Sequence, residues 1–394
     1  MKVRLLYVSQ SFPPADRPLA NVGGMQRVAV ELHQALAAHP DIDLDEIVLR
    51  SSWRTHHLKG LWWLFTTYRE IRRKAEQGEI DIVLFSSMVP AALATVLRRT
   101  LAPRDIPMVA IAHGRDVTQR GPYQWLLVRR ILNTLDAVLP VSRATAAECV
   151  KRGFPEEKIQ VIPNGVDTGR FAPGTDFAAQ RRALLDTLGD PRHPVPDAAL
   201  LLCSVGRQVP RKGFAWFVDD VMPLLPHDVH YWLAGDGQEA DAITEAARRH
   251  NLTHRVRLHG RISDEALTTL YRGADLFVMP NVRIPGDIEG FGIVMLEAGL
   301  SGMPAIASRL EGIQDVITEG ENGLLVESGN AWAFSEAIMS FYHDREALDA
   351  ASQRAARHTA ETFSWPAVAD RYVQAMRGLI PKLADPTSAV TEKL

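Results

Sequence analysis

Cysteine is nearly absent from this 394-residue chain, which holds only Cys149 and Cys203. Two thiols without metal-ligand spacing suggest neither a disulfide framework nor a zinc site. Long apolar runs are missing too, and none nears the roughly 18 residues of a membrane-spanning helix. Net charge is small, at −3, with 23% charged and 46% hydrophobic residues, the composition of an ordinary soluble protein. Met1 to Ser9 is too short in its apolar part for a secretory leader and reads as a first buried strand. A cytoplasmic chain is therefore expected. A strong excess of either charge is lacking overall, yet the halves differ: residues 1–170 carry 23 Lys/Arg against 17 Asp/Glu, and the remainder 21 against 30. A basic first half suits an anionic acceptor or an acidic membrane surface, and is too weak a bias to imply nucleic acid.

The length exceeds what one core usually supports, so two domains are expected. Short β-rich apolar runs alternate with helical patterns through both halves, as in parallel sheets built from βαβ units. In the first half the candidate strands are Val3–Val8, Glu46–Leu49, Ile82–Phe85, Met108–Ala112 and Ala137–Pro140. In the second they are Leu200–Val205, His230–Ala234, Val256–Leu258, Leu276–Met279 and Pro304–Ala307. The stretch Pro173 to Pro196 breaks the periodicity. The reading is an α/β chain with two Rossmann-like, doubly wound parallel-sheet domains, 1–170 and 171–364, facing across a cleft. A final helix within 365–383 is expected to cross back to the first domain, and 384–394 to form a disordered tail. Ligands of such folds bind outside the carboxyl ends of the strands.

The most constraining segment is Glu289-Gly290-Phe291-Gly292-Ile293-Val294-Met295-Leu296-Glu297. Gly290 and Gly292 permit unusual dihedrals and close approach to a ligand, and the apolar run that follows can continue as a helix. A helix start offers unpaired amides to phosphate or sugar oxygens. Glu289 lies before that start and Glu297 about one turn inside it. Each carboxylate can accept two hydroxyls, which a hexose and a ribose both supply. A buried helix with two solvated acids is the plainer alternative.

Val205-Gly206-Arg207-Gln208-Val209-Pro210-Arg211-Lys212-Gly213 follows one strand and precedes a helical run, Phe214 to Val221. Arg207 offers a planar donor fork and Lys212 a point charge, and together they can hold a diphosphate leaving group. Ala234-Gly235-Asp236-Gly237 and Leu258-His259-Gly260-Arg261-Ile262 end two further strands, and the latter is placed where its backbone can meet a nucleobase. In the first half, Gly23 and Gly24 precede an amphipathic helix carrying Val28, Leu32 and Leu36. His113 follows a strand at its carboxyl end, positioned to orient a sugar hydroxyl.

Asp41-Ile42-Asp43 and Asp43-Leu44-Asp45 match the Asp-x-Asp pattern of metal-dependent sugar transferases, but they fall in a polar connection before a strand. They read as solvated loop acids, and no metal is expected. Leu58 to Ala75 sets Leu58, Leu61, Trp62, Phe65 and Tyr68 on one helical stripe beside basic residues. Such a stripe is more often core, with peripheral membrane contact the alternative.

In order and spacing these segments resemble the family 4 retaining glycosyltransferases. The carriers are Gly23-Gly24, His113-Gly114, Val141-Ser142, Pro163-Asn164-Gly165-Val166-Asp167, Gly206-Arg207 with Lys212-Gly213, Ala234-Gly235-Asp236-Gly237, Ala274-Asp275 and the Glu289 to Glu297 string. The resemblance covers nearly the whole chain and implies the two-domain GT-B fold. It also implies a hexosyltransferase that moves glucose, mannose or a relative from a nucleoside-diphosphate sugar to a lipid-linked or glycan acceptor, with no cofactor. By resemblance, His113, Arg207, Lys212 and Glu289 carry the reaction. Donor contacts fall to Gly23, Gly24, Arg207, Lys212, Arg261, Ile262, Glu289, Phe291, Gly292, Ile293, Val294 and Glu297, with Glu289 on the transferred sugar and Glu297 on the ribose. A sugar-nucleotide epimerase of the same fold, or a non-catalytic sugar-nucleotide-binding subunit, are the rival readings. The sequence departs from common members in the long, proline-bearing loop Phe12 to Val22. It departs again at Gly299, which inside a helix costs about 1 kcal/mol relative to alanine and suggests close packing.

Overall fold

The computed structural model describes residues 2–14, 24–50, 56–118, 122–174, 176–196 and 198–381, and within these the side chains of 56–61 and 122–124 are left aside. The expected tail, 384–394, and Gly23 lie outside the described residues. The chain divides into two compact units, one formed by Met1–Gly165 with Trp365–Leu394 and the other by Val166–Ser364.

In the first unit, strands β1 (Val3–Phe12), β2 (Ile42–Arg50), β3 (Ile82–Phe85), β4 (Met108–Ala112) and β5 (Ala137–Pro140) form one sheet in the order 2-1-3-4-5. Every neighbouring pair is parallel. The central strands are apolar in unbroken runs because helices cover both sheet faces. Leu6, Val8, Phe85 and Ala110 pack with Ile71, Leu97 and Leu132. The helix Trp365–Arg377 belongs to this unit. Its first residue donates from Trp365 Nε1 to Glu31 Oε2 at 2.6 Å. The same indole lies over Gly165, where a β-carbon would stand 2.5 Å from Trp365 Cδ2.

The second unit holds β6 (Leu200–Val205), β7 (Val229–Ala234), β8 (Val256–Leu258), β9 (Leu276–Met279), β10 (Ala305–Ser308) and β11 (Gly323–Val326), all parallel, in the order 11-10-9-6-7-8. Its core joins Leu200, Leu202, Tyr231 and Leu276 to Phe217 and Phe334. Strand order reverses between β6 and β9: β7 and β8 are added on one side of β6, and β9, β10 and β11 on the other. Such a switch point is where doubly wound sheets open a ligand crevice.

Several details differ from the sequence expectations. The division falls at Gly165/Val166, a few residues before the expected hinge near 170, because Val166 pairs with Ser364 and donates to Phe363 O at 2.8 Å. Strand β11 was not expected, since it follows directly on a Gly-Glu-Asn turn and opens on Gly323, a residue depleted in strands. Asp43 and Asp45 lie within β2, an edge strand, and not in a loop. An edge strand leaves one side to solvent, which tolerates acids there; Asp45 pairs with Lys74 Nζ at 2.5 Å and Asp41 with Arg377 at 3.1 Å. In the helix His56–Glu76 the buried stripe is Trp63, Thr67, Ile71 and Ala75, at spacings of four. Trp62 and Phe65 point outward, 70% and 52% exposed, so this part of the expected core stripe is the surface face. The side chains of Leu58 and Leu61 lie outside the described residues.

Candidate active site

The loops leaving β6, β9 and β10, three adjacent strands, bring the second unit's charged residues together. After β6 the chain makes one tight turn, Pro210–Lys212, and leaves it through Gly213 at φ 66. That dihedral lies in the left-handed region, and a β-carbon on Gly213 would collide with Pro280 O. Only glycine lets the β6 turn rest on the backbone that follows β9. Lys212 is thereby turned inward. Its Nζ lies 2.7 Å from Glu289 Oε2, in the loop after β9.

Both members of this pair are buried, Lys212 6% and Glu289 8% exposed. Asn281 Nδ2 donates to Glu289 at 3.2 Å, and Arg211 stands 3.6 Å from the same carboxylate and 3.8 Å from Asp287. Burial pushes the Lys212 ammonium down, and the attraction of Glu289 only partly restores it. For Glu289 burial pushes upward, but the charges of Lys212 and Arg211 outweigh it and hold the carboxyl below its usual range. Taking two charges out of water is costly unless both are paired and hydrogen-bonded, as they are here. Four cations (Arg207, Arg211, Lys212, Arg283) stand among three acids (Glu289, Asp287, Glu311), so the loops carry a positive excess suited to a diphosphate. Arg207 is exposed; its carbonyl accepts from Val209 N–H at 2.9 Å, while its guanidinium makes no ion pair or hydrogen bond among the described residues.

The rest of the Glu289 string divides by exposure. Phe291 buries its ring, which leaves only its backbone for a ligand. Gly292 takes φ 91, and Ile293 and Val294, half-buried, lead into the short helix Val294–Leu300. Glu297 is 2% exposed and accepts from Tyr271 OH at 2.8 Å. Gly299 faces Thr359, whose Oγ1 would lie 2.7 Å from an added β-carbon, so close packing accounts for this helical glycine. Arg261 stands apart from the Lys212 cluster in the ion pairs described; its Nε donates to Asp236 at 2.7 Å, and both residues are exposed. Ile262 beside it is half-buried.

In the first unit, His113 directly follows β4. Its N–H donates to Asp116 Oδ1 at 2.9 Å, and its Nε2 lies 2.8 Å from Ser86 O. A carbonyl oxygen can only accept, which assigns a proton to Nε2; in the neutral tautomer Nδ1 is then the acceptor. Asp116 also accepts from Met88 N–H at 3.3 Å, so one buried carboxylate ties the ends of β3 and β4 together. Gly24 opens the helix Gly24–Ala38 and is exposed.

Four residues around the site carried no assignment from sequence. Arg211 adjoins Lys212 in a string already singled out, and its second positive charge was the available signal. Asn281, Tyr271 and Glu311 gave none, because their approach to the two glutamates depends on how strands β9, β10 and the helix Asp264–Gly273 are arranged. Among the described residues no group of three or more His, Cys, Asp or Glu is placed to hold a metal ion.

The chain is similar to known proteins over most of its length. Residues 22–170 match the family model described as Glycosyltransferase Family 4, and residues 190–358 match that of Glycosyl transferases group 1. The chain belongs to the family 4 glycosyltransferases. This glycosyltransferase is 29% identical over 397 aligned residues to a GDP-mannose-dependent alpha-(1-6)-phosphatidylinositol monomannoside mannosyltransferase of Mycolicibacterium smegmatis, covering 95% of this chain and 98% of that protein. A lipopolysaccharide core biosynthesis glycosyltransferase of Rhizobium meliloti is 33% identical over 56% of this chain and 58% of its own. Among solved structures, sucrose-phosphate synthase from Thermosynechococcus elongatus superposes with a TM-score of 0.72 at 22% identity, over 96% of this chain and 99% of that one. The Anabaena HepE protein, solved with UDP, gives 0.72 at 18% identity, over 95% and 99%. At those identities the likeness is one of fold, and the fold is GT-B.

Proposed function

We propose that this glycosyltransferase moves a hexose from a nucleoside diphosphate to a lipid-linked or glycan acceptor, without a metal and with retention at the anomeric carbon. One observation carries the donor half of this reading: a buried lysine and glutamate paired at a sheet switch point, with Arg211 and exposed Arg207 supplying surplus positive charge. Lys212 and Arg207 neutralise the departing diphosphate, and Glu289 holds hydroxyls of the transferred sugar. Glu297, fixed by Tyr271, is assigned to the ribose, and the backbone of Phe291 to Val294, with Gly24, Arg261 and Ile262, to the remaining donor contacts. Gly23 completes the glycine pair assigned to the phosphate. His113 presents Nδ1 to a sugar hydroxyl. Retention is attributed to front-face attack assisted by the leaving phosphate. Mannose from GDP is the favoured donor, because the similar chain of nearly full coverage is named for it.

A lipid-linked acceptor is supported by the outward face of the helix His56–Glu76. Trp62 stacks near Phe65 at 5.9 Å between ring centroids, and Arg69 lies over Phe65. Exposed aromatic rings beside arginines suit an interfacial contact with an anionic membrane, reached from the cytoplasmic side. No helix among the described residues is long and apolar enough to cross a membrane.

The test is turnover of UDP-, GDP- and ADP-hexoses by purified protein, with and without lipid extracts. Release of nucleoside diphosphate is expected from at least one donor, and Glu289→Ala should lower it by about 100-fold or more. No turnover from any donor, together with an unchanged Glu289→Ala protein, sinks the reading.

A further inference from the structure

The peptide of Glu289 is held from two sides by one short turn after β10. Its N–H donates to Glu311 Oε2 at 2.5 Å, and its C=O accepts from Gly312 N–H at 3.2 Å. The approach is close enough that a β-carbon on Gly312 would collide with Gly290 O. Glu311 itself sits at φ 47, in the left-handed region that residues with a β-carbon avoid. Glycine would take this dihedral without strain, so the turn alone does not call for glutamate. Strained residues persist where the surrounding structure over-determines them, and they gather at functional sites.

What glutamate adds at this position is an acceptor for the one N–H that fixes Glu289. The carboxyl is half-buried; desolvation pushes its pKa up, while the Glu289 N–H, Arg283 and Arg211 oppose that rise. Glu289 in turn presents its own carboxylate to Lys212 and Asn281. We propose that Glu311 is a positioning residue of the donor site: its carboxylate locks the Glu289 peptide, and so holds the Glu289 side chain on Lys212 and Asn281 where the transferred sugar is to be gripped. The proposal rests on the transferase reading for its catalytic consequence, and on geometry alone for the lock.

Full-length Glu311→Gly and Glu311→Gln proteins test it. Glycine removes the acceptor and the strain together, whereas glutamine keeps an oxygen for the Glu289 N–H. The glycine variant is expected to melt no lower than the wild type. In it the Glu289 amide, read by hydrogen exchange in the peptide spanning 281–297, should exchange about tenfold faster through loss of a hydrogen bond. Its kcat should fall about 10- to 100-fold from misplacement of the sugar-binding group, with the donor KM changed far less. The glutamine variant should keep both the protection and most of kcat. A merely structural role would lower the melting temperature and leave kcat alone. Unchanged protection of Glu289 in Glu311→Gly, unchanged kcat despite faster exchange, or a glutamine variant as impaired as the glycine one would each overturn the proposal. If the wild type turns over no sugar nucleotide, the transferase reading fails on its own, and exchange at Glu289 still decides whether Glu311 holds that peptide.

Discussion

The two units repeat one scheme, a doubly wound parallel sheet with its strand ends dressed by loops, yet the side chains at those ends are of different chemical kinds. In the first unit the ends of β1 and β3 carry Ser9, Gln10, Ser86 and Ser87, uncharged side chains hydrogen-bonded to one another, and a buried acid, Asp116, accepts from the backbone N–H groups of His113 and Met88. In the second unit the ends of β6 and β9 bury an opposed charge pair with a further arginine against it. Backbone topology is therefore neutral about chemistry. A neutral polar rim can read hydroxyls at modest energetic risk, whereas a buried ion pair is stable only while every partner remains in place.

The largest expected effect follows from that asymmetry. Lys212→Met leaves Glu289 buried beside a weaker set of partners and should cost about 3–5 kcal/mol of unfolding free energy. Asp116→Asn, which keeps one acceptor oxygen in the first unit, should cost about 1–3 kcal/mol. Urea denaturation followed by a probe in each unit measures both, and equal losses would break the contrast between charged and neutral strand ends. A second contrast is the apolar face of the first unit. Replacing Trp62 and Phe65 by serine should reduce binding to anionic liposomes by about 1.5–3 kcal/mol per ring buried in the interface. Co-sedimentation at low and high salt checks this, and wild-type binding that is absent or indifferent to salt would remove the membrane contact.

The remaining effect is one of pH. His230 and His259 belong to the second unit, and burial, reinforced by neighbouring arginines, pushes both imidazoles from about 6.5 down to about 4. Their folded pKa lies below the unfolded value, so the unfolded state binds protons first as the solution is acidified. Their contribution is complete above about pH 6.5 and is lost as pH falls toward 4. In the first unit His33 is lowered as well, but Glu46 opposes the shift. Melting curves between pH 7 and 5, where carboxylates change little, should show the second unit weakening more, and His259→Gln should flatten that slope. A slope unaltered by His259→Gln would assign the acid sensitivity elsewhere.

Much of this fold was legible because parallel sheets write themselves as separate apolar runs. Ten of the strands were readable from runs such as Leu200–Val205 and Met108–Ala112, which recur with the same limits in the structure. Strand β11 and the true length of β2 were not, because one opens on a glycine directly after a turn and the other places acids along an exposed edge. The helix His56–Glu76 was recognised as amphipathic but assigned the wrong inward face at Trp62 and Phe65. Periodicity fixes which residues share a stripe; which stripe meets the sheet depends on the helix's rotation, and that is set by packing.

Residue types and spacing alone determined the family and the two-sheet class, and singled out Glu289, Glu297, Arg207 and Lys212 as the residues proposed for the donor. Local chain geometry carries such information: a strand, a glycine turn and a helix start are written within a dozen residues. The pairing of Lys212 with Glu289, the support of Asn281 and Arg211, the hold of Tyr271 on Glu297 and the grip of Glu311 on the Glu289 peptide were decided only by tertiary structure. Lys212, Arg211 and Glu311 reach Glu289 from loops that follow other strands, Tyr271 reaches Glu297 from one helix to another, and Asn281 closes back within the loop after β9; strand order across a sheet is a long-range outcome of packing that no local pattern records.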